Sequence, residues 1–477
     1  MLSSTLKSRN SSFTPEIVAE PRESHRYIVA IGKALMLVLV SILPLEQQVP
    51  SIGGFGLLFF YFGLLGVYAL VAFRGTLMSL AFHPVFLSMY GLIALGILIE
   101  SMHQEASYIE LARIAQMTIG AVVVAACCAD RRLLKSSLLG YPIAGVWLSL
   151  MIIGSSYGAI SGGDASDFEE ASVLREEAFG DAPVKINLNA LAFIASQGAT
   201  VAFAMALTSG RGGRLGYAAV SMLGLFAAFL PLSRSGMIIA SVSLFSVLIG
   251  HRAQMTRGLI LAGLLGLAMW VVVPSSVYSR FTYSTEAVDG KVEGRARVYT
   301  AALEYLPEYF IAGVGSGRFW NSWGLGTTFN LRHGVTGAHN CYFQITIYWG
   351  IIALLALMFV VWQVYRCVPR VRADEPLTLC LRGLATTLFL VLLVKHNLYD
   401  KDFSLGVGIL VGAQWALRAG KPKLDFAPSP RQEGIDTSWA LTDRRSPFAN
   451  RRESPAGSSN SRVQQEPRTM SSSPAVD

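Results

Sequence analysis

Charged side chains are scarce in this 477-residue chain: Asp, Glu, Lys and Arg make up 15% of it, against roughly 25% in an ordinary soluble domain. Hydrophobic residues account for 52%, mean hydropathy is +0.47, and apolar stretches recur from Tyr27 to Trp415. Many of these stretches are longer than a buried core helix needs. The sequence therefore excludes a soluble globule and predicts an all-α polytopic membrane protein.

Cysteine is also rare, and its placement excludes two further classes of protein. The five cysteines contain no C-x-x-C pair, and all lie within or beside apolar stretches: Cys127, Cys128, Cys341, Cys367 and Cys380. An odd number without paired spacing predicts neither a disulfide framework nor a zinc site. We expect no metal and no cofactor.

Acidic residues are outnumbered, with 31 Asp and Glu against 39 Lys and Arg and a formal net charge of +8. A basic chain can be a nucleic-acid binder when its cations form a continuous face. Here the cations form short clusters between apolar runs, without interleaved aromatic residues. Such clusters are typical of membrane topology signals, and we expect a lipid bilayer and no nucleic acid as partner.

Apolar runs of about 20 residues predict membrane-spanning helices. The first follows a polar, basic segment and has no small-residue cleavage site after Leu43, so we interpret it as an uncleaved span rather than a signal peptide. Twelve spans are predicted: 27–44, 53–73, 82–99, 111–129, 138–158, 189–208, 215–232, 236–250, 257–274, 341–365, 379–395 and 403–418.

The distribution of cations predicts the orientation of these spans. With both termini in the cytoplasm, every second connection is cytoplasmic, and these are the connections that carry Lys and Arg. They contain Arg74; Arg131, Arg132 and Lys135; Arg211 and Arg214; Arg252 and Arg257; Arg366, Arg370 and Arg372; and Arg418, Lys421 and Lys423. A connection on the other face, about 161–187, is acidic, which agrees with this orientation.

The chain divides into five predicted segments. Residues 1–26 form a cytoplasmic N-terminal segment, 27–274 carry spans 1–9, 275–340 form one large periplasmic loop, and 341–419 carry spans 10–12. Residues 420–477 are rich in Ser, Pro and Arg and predict a disordered cytoplasmic tail. Loops as long as 275–340 are usually functional or disordered. Its aromatic residues and a helical stretch around 295–306 favour an ordered structure.

Arg234 is the first candidate functional residue. It lies in a Ser-Arg-Ser-Gly sequence, 233–236, that interrupts an apolar stretch from Leu223 to Ile249. An Arg at the membrane centre costs roughly 2.5–3.5 kcal/mol, so this side chain should face a cavity, a partner or the interface. The alternative is an arginine that snorkels from a helix end.

The large loop collects arginines on the face where cations are normally sparse. They are Arg280, Arg295, Arg297, Arg318 and Arg332. Guanidinium groups bind phosphate with bidentate, charge-assisted hydrogen bonds, so a diphosphate is a suitable ligand. The alternative is that these arginines form a solvated salt-bridge network with the acidic connection 161–187. The carboxylates of that connection have no EF-hand spacing, so a solvated loop is a better interpretation of it than a cation site.

His339 and Asn340 stand where the loop gives way to an apolar run. At a helix N-terminus the free amides and the positive end of the dipole favour a neutral imidazole, which can accept a proton. A structural histidine is the alternative, and His333 and His396 are competing candidates. The Gly-rich sequence 313–317 lacks the context and the Lys of a nucleotide motif, so we interpret it as a flexible bend that lets the loop fold back.

Together these motifs resemble the O-antigen ligase and polysaccharide polymerase (Wzy-like) superfamily of membrane proteins. The resemblance rests on an ordered set between Asn189 and Gly350: Leu-Asn-Ala-Leu-Ala at 188–192, Ser-Arg-Ser-Gly at 233–236, Gly-Arg at 294–295 with Tyr299 four residues on, Gly-Val-Gly-Ser-Gly-Arg-Phe at 313–319, and His-Asn at 339–340 followed by Tyr-Phe-Gln at 342–344. Two features depart from the family: Tyr299 stands where Trp is usual, and 323–339 is idiosyncratic.

The resemblance implies a GT-C-like fold and a metal-independent, inverting glycosyl transfer on the periplasmic face of the bacterial inner membrane. The donor would be an oligosaccharide linked to undecaprenyl diphosphate, and the acceptor a glycan or lipid A-core, in O-antigen or exopolysaccharide biosynthesis. By analogy His339 is the general base, and Arg234 and Arg295 bind the diphosphate. Further substrate-binding candidates are Arg297, Arg318, Asn340 and Asn189.

A lipid-linked glycan flippase or another transporter is the alternative from a different class. A transporter should place its charges at the membrane midplane in broken helices, whereas here they concentrate in outer loops and at the ends of spans. A non-catalytic assembly partner would leave the positions of His339 and Arg295 unexplained. Within the enzyme interpretation, ligase and polymerase share the same donor chemistry, and the sequence leaves both open.

Overall fold

A computed structural model describes residues 23–42, 57–162, 188–230, 233–250, 255–273, 299–300, 302–320, 340–369, 376–395, 398 and 400–418. Within these ranges the chain is helical and contains no strand. The helices are α1 (Glu23–Ile42), α2 (Leu57–Ala72), α3 (Arg74–Ala81), α4 (Pro84–Glu100), α5 (Ile109–Cys128), α6 (Arg131–Gly162), α7 (Leu188–Thr208), α8 (Arg211–Phe229), α9 (Arg234–Gly250), α10 (Met255–Val272), α11 (Leu306–Tyr309), α12 (Ser316–Arg318), α13 (Cys341–Cys367), α14 (Pro376–Val394) and α15 (Lys401–Arg418).

Each of the twelve predicted apolar segments coincides with one of these helices. Six described helices are long and apolar enough to cross a membrane: α5, α6, α7, α8, α13 and α14. A pair of helices, Phe60–Ala72 and Arg74–Ala81, meets the same test together and is bent by 111° at its break, the geometry of a broken span or a re-entrant loop. The chain is thus an all-α, multi-pass membrane protein, while the count of twelve spans and the orientation of the termini stay predictions.

The connection between the second and third predicted spans is itself helical. Arg74, predicted to stand in this connection, begins α3. Leu77 and Leu80 are buried on this short helix and pack into the main core, and this burial explains why the chain continues as a helix there. The break from α2 falls at Phe73, which is itself buried.

The core of the bundle is built around α7, nearly all of which is buried. It packs against α6, α8, α9 and α14. Small residues permit the closest approaches: a β-carbon at Gly198 would lie 2.7 Å from the Tyr141 carbonyl oxygen and 3.0 Å from the Gly145 Cα. Small residues at such contacts are typical of helix packing in membranes, where backbone proximity replaces the hydrophobic driving force.

A second group of helices flanks this core. α13 packs against α4, and α15 packs against α5. Gly408 and Gly412, one turn apart on α15, face α5 so closely that a β-carbon would lie 2.6 Å from the Ala121 carbonyl oxygen and 2.5 Å from that of Ala125, respectively. These contacts hold α5, α13 and α15 in a single core with α7.

Several predictions made from the sequence concern parts of the chain outside the described residues. They are the side chain of Arg234, residues Arg295, Arg297 and His339, the competitors His333 and His396, most of the predicted loop 275–340, the acidic stretch 163–187 and the tail 420–477. The predicted helical stretch around 295–306 is helical at the described positions 299–300 and 302–304.

Candidate functional site

The first turns of α7 and α9 lie side by side. Ser233 precedes α9, and its Oγ accepts a hydrogen bond from the Gly236 amide at 3.2 Å, so Arg234 is the first residue of the helix. Gly236 fits against α7, because a β-carbon there would lie 2.5 Å from that of Ala192, and Ser196 Oγ donates to the Gly236 carbonyl at 3.3 Å. Asn189 stands in the first turn of α7, so the structure brings the starts of these two motifs together.

The start of α13 is fixed to the end of α14. Asn340 is the N-cap, whose Oδ1 accepts from the amides of Tyr342 and Phe343 at 2.9 and 3.2 Å, and whose Nδ2 donates to the Leu393 carbonyl at 3.0 Å. An Asn N-cap satisfies amides that a helix leaves unpaired in its first turn. The predicted helix start at 341 is confirmed, and His339 is the residue immediately before this cap.

A small buried cluster connects the two pairs of helices. Phe193 of α7, Ile239 of α9 and Val391 of α14 pack together, about one turn below the polar helix ends. The starts of α7, α9 and α13 and the end of α14 therefore share one end of the bundle, which we call the Asn340 end. It collects Asn189, Arg234 and Asn340 from three of the five sequence motifs.

The Gly-rich motif packs against an interruption in α13. At Gly350 the helix departs from helical geometry, with φ at 74°, which only glycine adopts without strain. The freed backbone groups bond to the motif segment: the Ile351 amide donates to the Phe310 carbonyl at 2.7 Å, the Val314 amide to Ile347 at 2.8 Å, and the Gly315 amide to Tyr348 at 2.9 Å. We call residues 310–319 the docked segment.

Glu100 holds the docked segment in place from the end of α4. It is fully buried, and its Oε1 accepts from the Ser316 amide at 2.5 Å and from Trp349 Nε1 at 2.8 Å, while its Oε2 accepts from the Ser107 amide at 3.3 Å. A buried carboxylate with several donors makes strong charge-assisted bonds. Glu100 therefore ties α4, α13 and the docked segment together, a role that was not predicted from the sequence.

These hydrogen bonds show what the Gly-rich motif does in the structure. It folds back on the bundle, as the sequence indicated, with φ at 73° for Gly313 and 81° for Gly315. The amides of residues 314–316 all donate to protein acceptors. They are therefore not available to cradle a phosphate, and the motif serves to position its neighbours.

Arg318 is carried by the docked segment. It is exposed at the end of the short helix α12, next to Phe319, which is buried and packs edge-on against Tyr348 with ring centroids 5.3 Å apart. The aromatic contact fixes the backbone beside Arg318. The structure thus places Arg318 along the first part of α13, while its role toward a substrate stays a prediction.

A second aromatic contact lies at the start of α13. Tyr299 stacks on Phe343 in the first turn of this helix, with centroids 5.6 Å apart and an interplanar angle of 29°. The contact joins the motif that contains Tyr299 to the start of α13. Arg295 itself lies outside the described residues, and its role stays a prediction.

Ionisable residues outside the predicted set of site residues gather next to the Asn340 end. Lys395 forms an ion pair with Asp400, and Leu398 lines a small cavity with Cys341 and Gln344 of α13. Ahead of the predicted span 403–418, burial lowers the pKa of Lys401 to about 8 and raises the pKa of Asp402. These groups are suited to change charge near neutral pH.

Within the described ranges, no three His, Cys, Asp or Glu residues are grouped as metal ligands.

The fold and the site define a multi-pass helical membrane protein with a polar site built at the ends of its helices. Residues 199–358 match the Wzy_C family model, described as O-antigen ligase. The match covers about a third of the chain, and it confirms the resemblance to the O-antigen ligase and Wzy-like superfamily. It includes all the predicted site residues except Asn189. No curated protein matches the chain.

Proposed function

We propose that the protein is a membrane glycosyltransferase of the O-antigen ligase or polymerase type. Its donor is a glycan linked to undecaprenyl diphosphate, and it acts on the periplasmic face of the inner membrane in cell-surface polysaccharide biosynthesis. The family match at 199–358 supports a membrane glycan ligase or polymerase. The acceptor, a growing glycan or lipid A-core, decides between the two.

One observation carries this proposal: three helices, α7, α9 and α13, begin at the same end of the bundle, each at a family motif. A helix N-terminus carries a partial positive charge and favours anions. Arg234 adds a guanidinium group to the first residue of α9. A diphosphate is the part of the donor that such an end of the bundle would bind.

In the proposed step the acceptor hydroxyl attacks the anomeric carbon of the donor sugar. The new glycosidic C–O bond forms as the bond to the diphosphate breaks, with inversion, and undecaprenyl diphosphate leaves with the electron pair. His339 takes the hydroxyl proton. Arg234 and Arg295 offset the charge that develops on the leaving group. Electrostatic stabilisation of this kind often contributes more to the rate than any other effect, so the step requires no metal ion.

The remaining candidates have supporting roles in this proposal. Arg297 and Arg318 are further cations for the same anion, and Asn189 is a polar contact at the start of α7. Asn340 is already engaged, since both ends of its side chain hold protein atoms. Its contribution is to set the direction of the chain at His339, in addition to any contact with substrate.

The test is release of undecaprenyl diphosphate from a lipid-linked oligosaccharide by the purified protein, followed by sizing of the glycan product. A ladder of products means a polymerase, and a single transfer to a different lipid or protein means a ligase. Movement of the intact lipid across the bilayer without release would replace this proposal with the transporter.

His339→Ala is the first variant to measure. General-base catalysis typically contributes about 10²- to 10⁴-fold in rate, so we expect turnover to fall by that factor while donor binding is kept. Asn340→Ala is the matched comparison, because it weakens the helix cap and leaves the imidazole. Near-normal turnover in His339→Ala would remove this residue from the mechanism.

A further inference from the structure

A cavity of about 900 Å³ opens between α9, α13, α14 and α15, at the end of the bundle opposite Asn340. Three guanidinium groups line it: Arg366 at the end of α13, Arg382 on α14 and Arg418 at the end of α15. None of the described residues that line it carries a carboxylate. We call it the Arg382 cavity. Its volume is within the range of roughly 300–1,000 Å³ typical of ligand sites.

Arg382 is the residue that needs an explanation. It lies six residues into α14, about 9 Å along the helix axis from Pro376, within a segment apolar enough to span a membrane. A charged side chain inside a span is costly unless it faces a cavity or a partner. Across the described part of the chain, no carboxylate pairs with Arg382, Arg366 or Arg418.

The neighbours of Arg382 direct its side chain to the cavity. Its stem lies across Gly250 at the end of α9, where a β-carbon would be 3.2 Å from the Arg382 Cδ and 3.5 Å from its Nε. One turn further along α14, Thr386 Oγ1 donates to Ser246 Oγ at 3.0 Å, which joins α14 to α9. The cavity wall at Arg382 is therefore formed by direct packing and a hydrogen bond between α9 and α14.

Side-chain contacts also hold the opening of the cavity, where Arg366 and Arg418 lie. Arg366 stacks over Trp362, with its Cζ 4.9 Å from the ring centroid. Gln414 Nε2 donates to the Arg366 carbonyl at 3.2 Å, and its Oε1 accepts from Cys367 Sγ at 3.4 Å and lies 3.1 Å from His83 Nε2. This network ties α13, α15 and the start of α4 around the cationic opening.

Apolar side chains continue the cavity beyond the arginines. Tyr365 and Phe389, whose ring centroids are 6.3 Å apart, line it between α13 and α14. A site with cations at its mouth and aromatic and aliphatic walls fits a molecule that has an anionic head and a hydrocarbon tail. Basic pockets between membrane helices commonly bind anionic lipid headgroups.

We infer that the Arg382 cavity binds the phosphodiester headgroup of an anionic membrane phospholipid. The three guanidinium groups hold the phosphate, and an acyl chain lies along Phe389 and Tyr365. This site is at the opposite end of the bundle from the proposed glycosyl transfer and is independent of it. The lipid would hold α9, α13, α14 and α15 together where the protein provides no counter-charge among the described residues.

The experiment is native mass spectrometry of the full chain, purified in detergent and titrated with phosphatidylglycerol, phosphatidylcholine or inorganic phosphate. We expect the wild type to retain phosphatidylglycerol in preference to phosphatidylcholine. Arg382→Gln should weaken that binding about 10- to 100-fold, since it removes charge-assisted hydrogen bonds. Arg257→Gln is the matched control, because Arg257 is exposed at the same end of the bundle and does not line the cavity.

A double variant, Arg366→Gln with Arg418→Gln, covers the case in which Arg382→Gln fails to fold, because both of these side chains are exposed. It should lose phosphatidylglycerol to a similar extent. Equal retention by the wild type and both cavity variants, or equal binding of phosphatidylcholine, would overturn the inference. If inorganic phosphate bound as strongly as phosphatidylglycerol and displaced it, the lipid assignment would be overturned and the cavity would be a site for a small anion.

Discussion

The two ends of the helical bundle use polar groups in opposite ways. At the Asn340 end, Asn340, Ser233 and the nearby Glu100 each form their hydrogen bonds with backbone amides and neighbouring helices. At the Arg382 cavity, three guanidinium groups line an open space and form no ion pair among the described residues. Polar groups at the Asn340 end are thus satisfied by the protein itself, whereas the Arg382 cavity is where we infer that an anionic headgroup binds.

The largest effect is expected from a comparison of two arginines: Arg295, which we propose acts in glycosyl transfer, and Arg257, which lies at the same end of the bundle as the Arg382 cavity. Arg295→Ala should lower glycosyl transfer about 10²- to 10³-fold, the usual cost of removing one donor to a developing negative charge. Arg295→Lys should rescue poorly, since it loses the bidentate geometry. Arg257→Ala, at the opposite end, should leave transfer unchanged. Donor turnover by the purified variants measures all three, and full rescue by Lys would reduce the requirement to charge alone.

The interruption of α13 is the next feature to test. Gly350→Ala forces a residue other than glycine to a positive φ with an extended ψ, at about 1–3 kcal/mol, and presses a β-carbon against the Ile311 carbonyl oxygen. We expect a total loss of about 2–3 kcal/mol in stability, part of it from this overpacking, read as a lower apparent Tm in detergent. Gly266→Ala is the control, because a β-carbon there meets no atom within 4 Å. Equal melting of the two variants would contradict the role of Gly350.

Glu100→Gln tests how the docked segment is held. The amide keeps one acceptor oxygen but turns a donor toward protein amides, so about 1.5–2 kcal/mol of anchoring should be lost. Hydrogen exchange at Ser316 and Ser107 should then rise about tenfold. Glu304→Gln, an exposed carboxylate nearby in the chain, should leave exchange at both amides unchanged. Unaltered exchange in Glu100→Gln would mean that the α13 contacts suffice.

The smallest effect is expected at the cap of α13. Asn340→Ala should cost about 1 kcal/mol, and Asn340→Asp should cost less, because it keeps the acceptor for the Tyr342 and Phe343 amides and loses only the donor to Leu393. Thermal unfolding in detergent ranks the two variants. Equal losses in the two variants would show that the bond to α14, which both variants remove, contributes more than the cap.

Much of the helical layout could be predicted because it is local. Apolar runs of sufficient length form helices in a membrane whatever surrounds them, and each of the twelve predicted runs coincides with one. The helix start at Cys341 was also predicted, and the helix that begins at Arg234 starts two residues before the predicted 236. The short helix α3 in the connection at Arg74 was not predicted, because the charge pattern gives no sign of the buried side chains of Leu77 and Leu80 that favour a helix there.

The residue types of the candidate site could be predicted from the sequence, but the contacts between helices that position them could not. Nothing in the order of the motifs says that Gly236 fits against Ala192, or that Asn340 reaches Leu393. Glu100 gave one signal, a carboxylate at the end of the apolar run 84–100, but its three donors lie 7 to more than 200 positions away along the chain. Such pairings depend on how helices cross, which local sequence does not encode.

Hydropathy is enough to predict a multi-pass helical membrane protein from the sequence, and an ordered set of motifs is enough to predict its resemblance to the O-antigen ligase and Wzy-like superfamily. The three-dimensional fold was needed to show that the Gly-rich motif replaces the hydrogen bonds freed at Gly350, and that Arg366, Arg382 and Arg418 line one cavity. These partners are far apart along the chain, so local sequence does not reveal them. A membrane compels each apolar run to satisfy its own backbone, whereas a kink or a charge inside a span must be satisfied by whichever helix the fold places beside it.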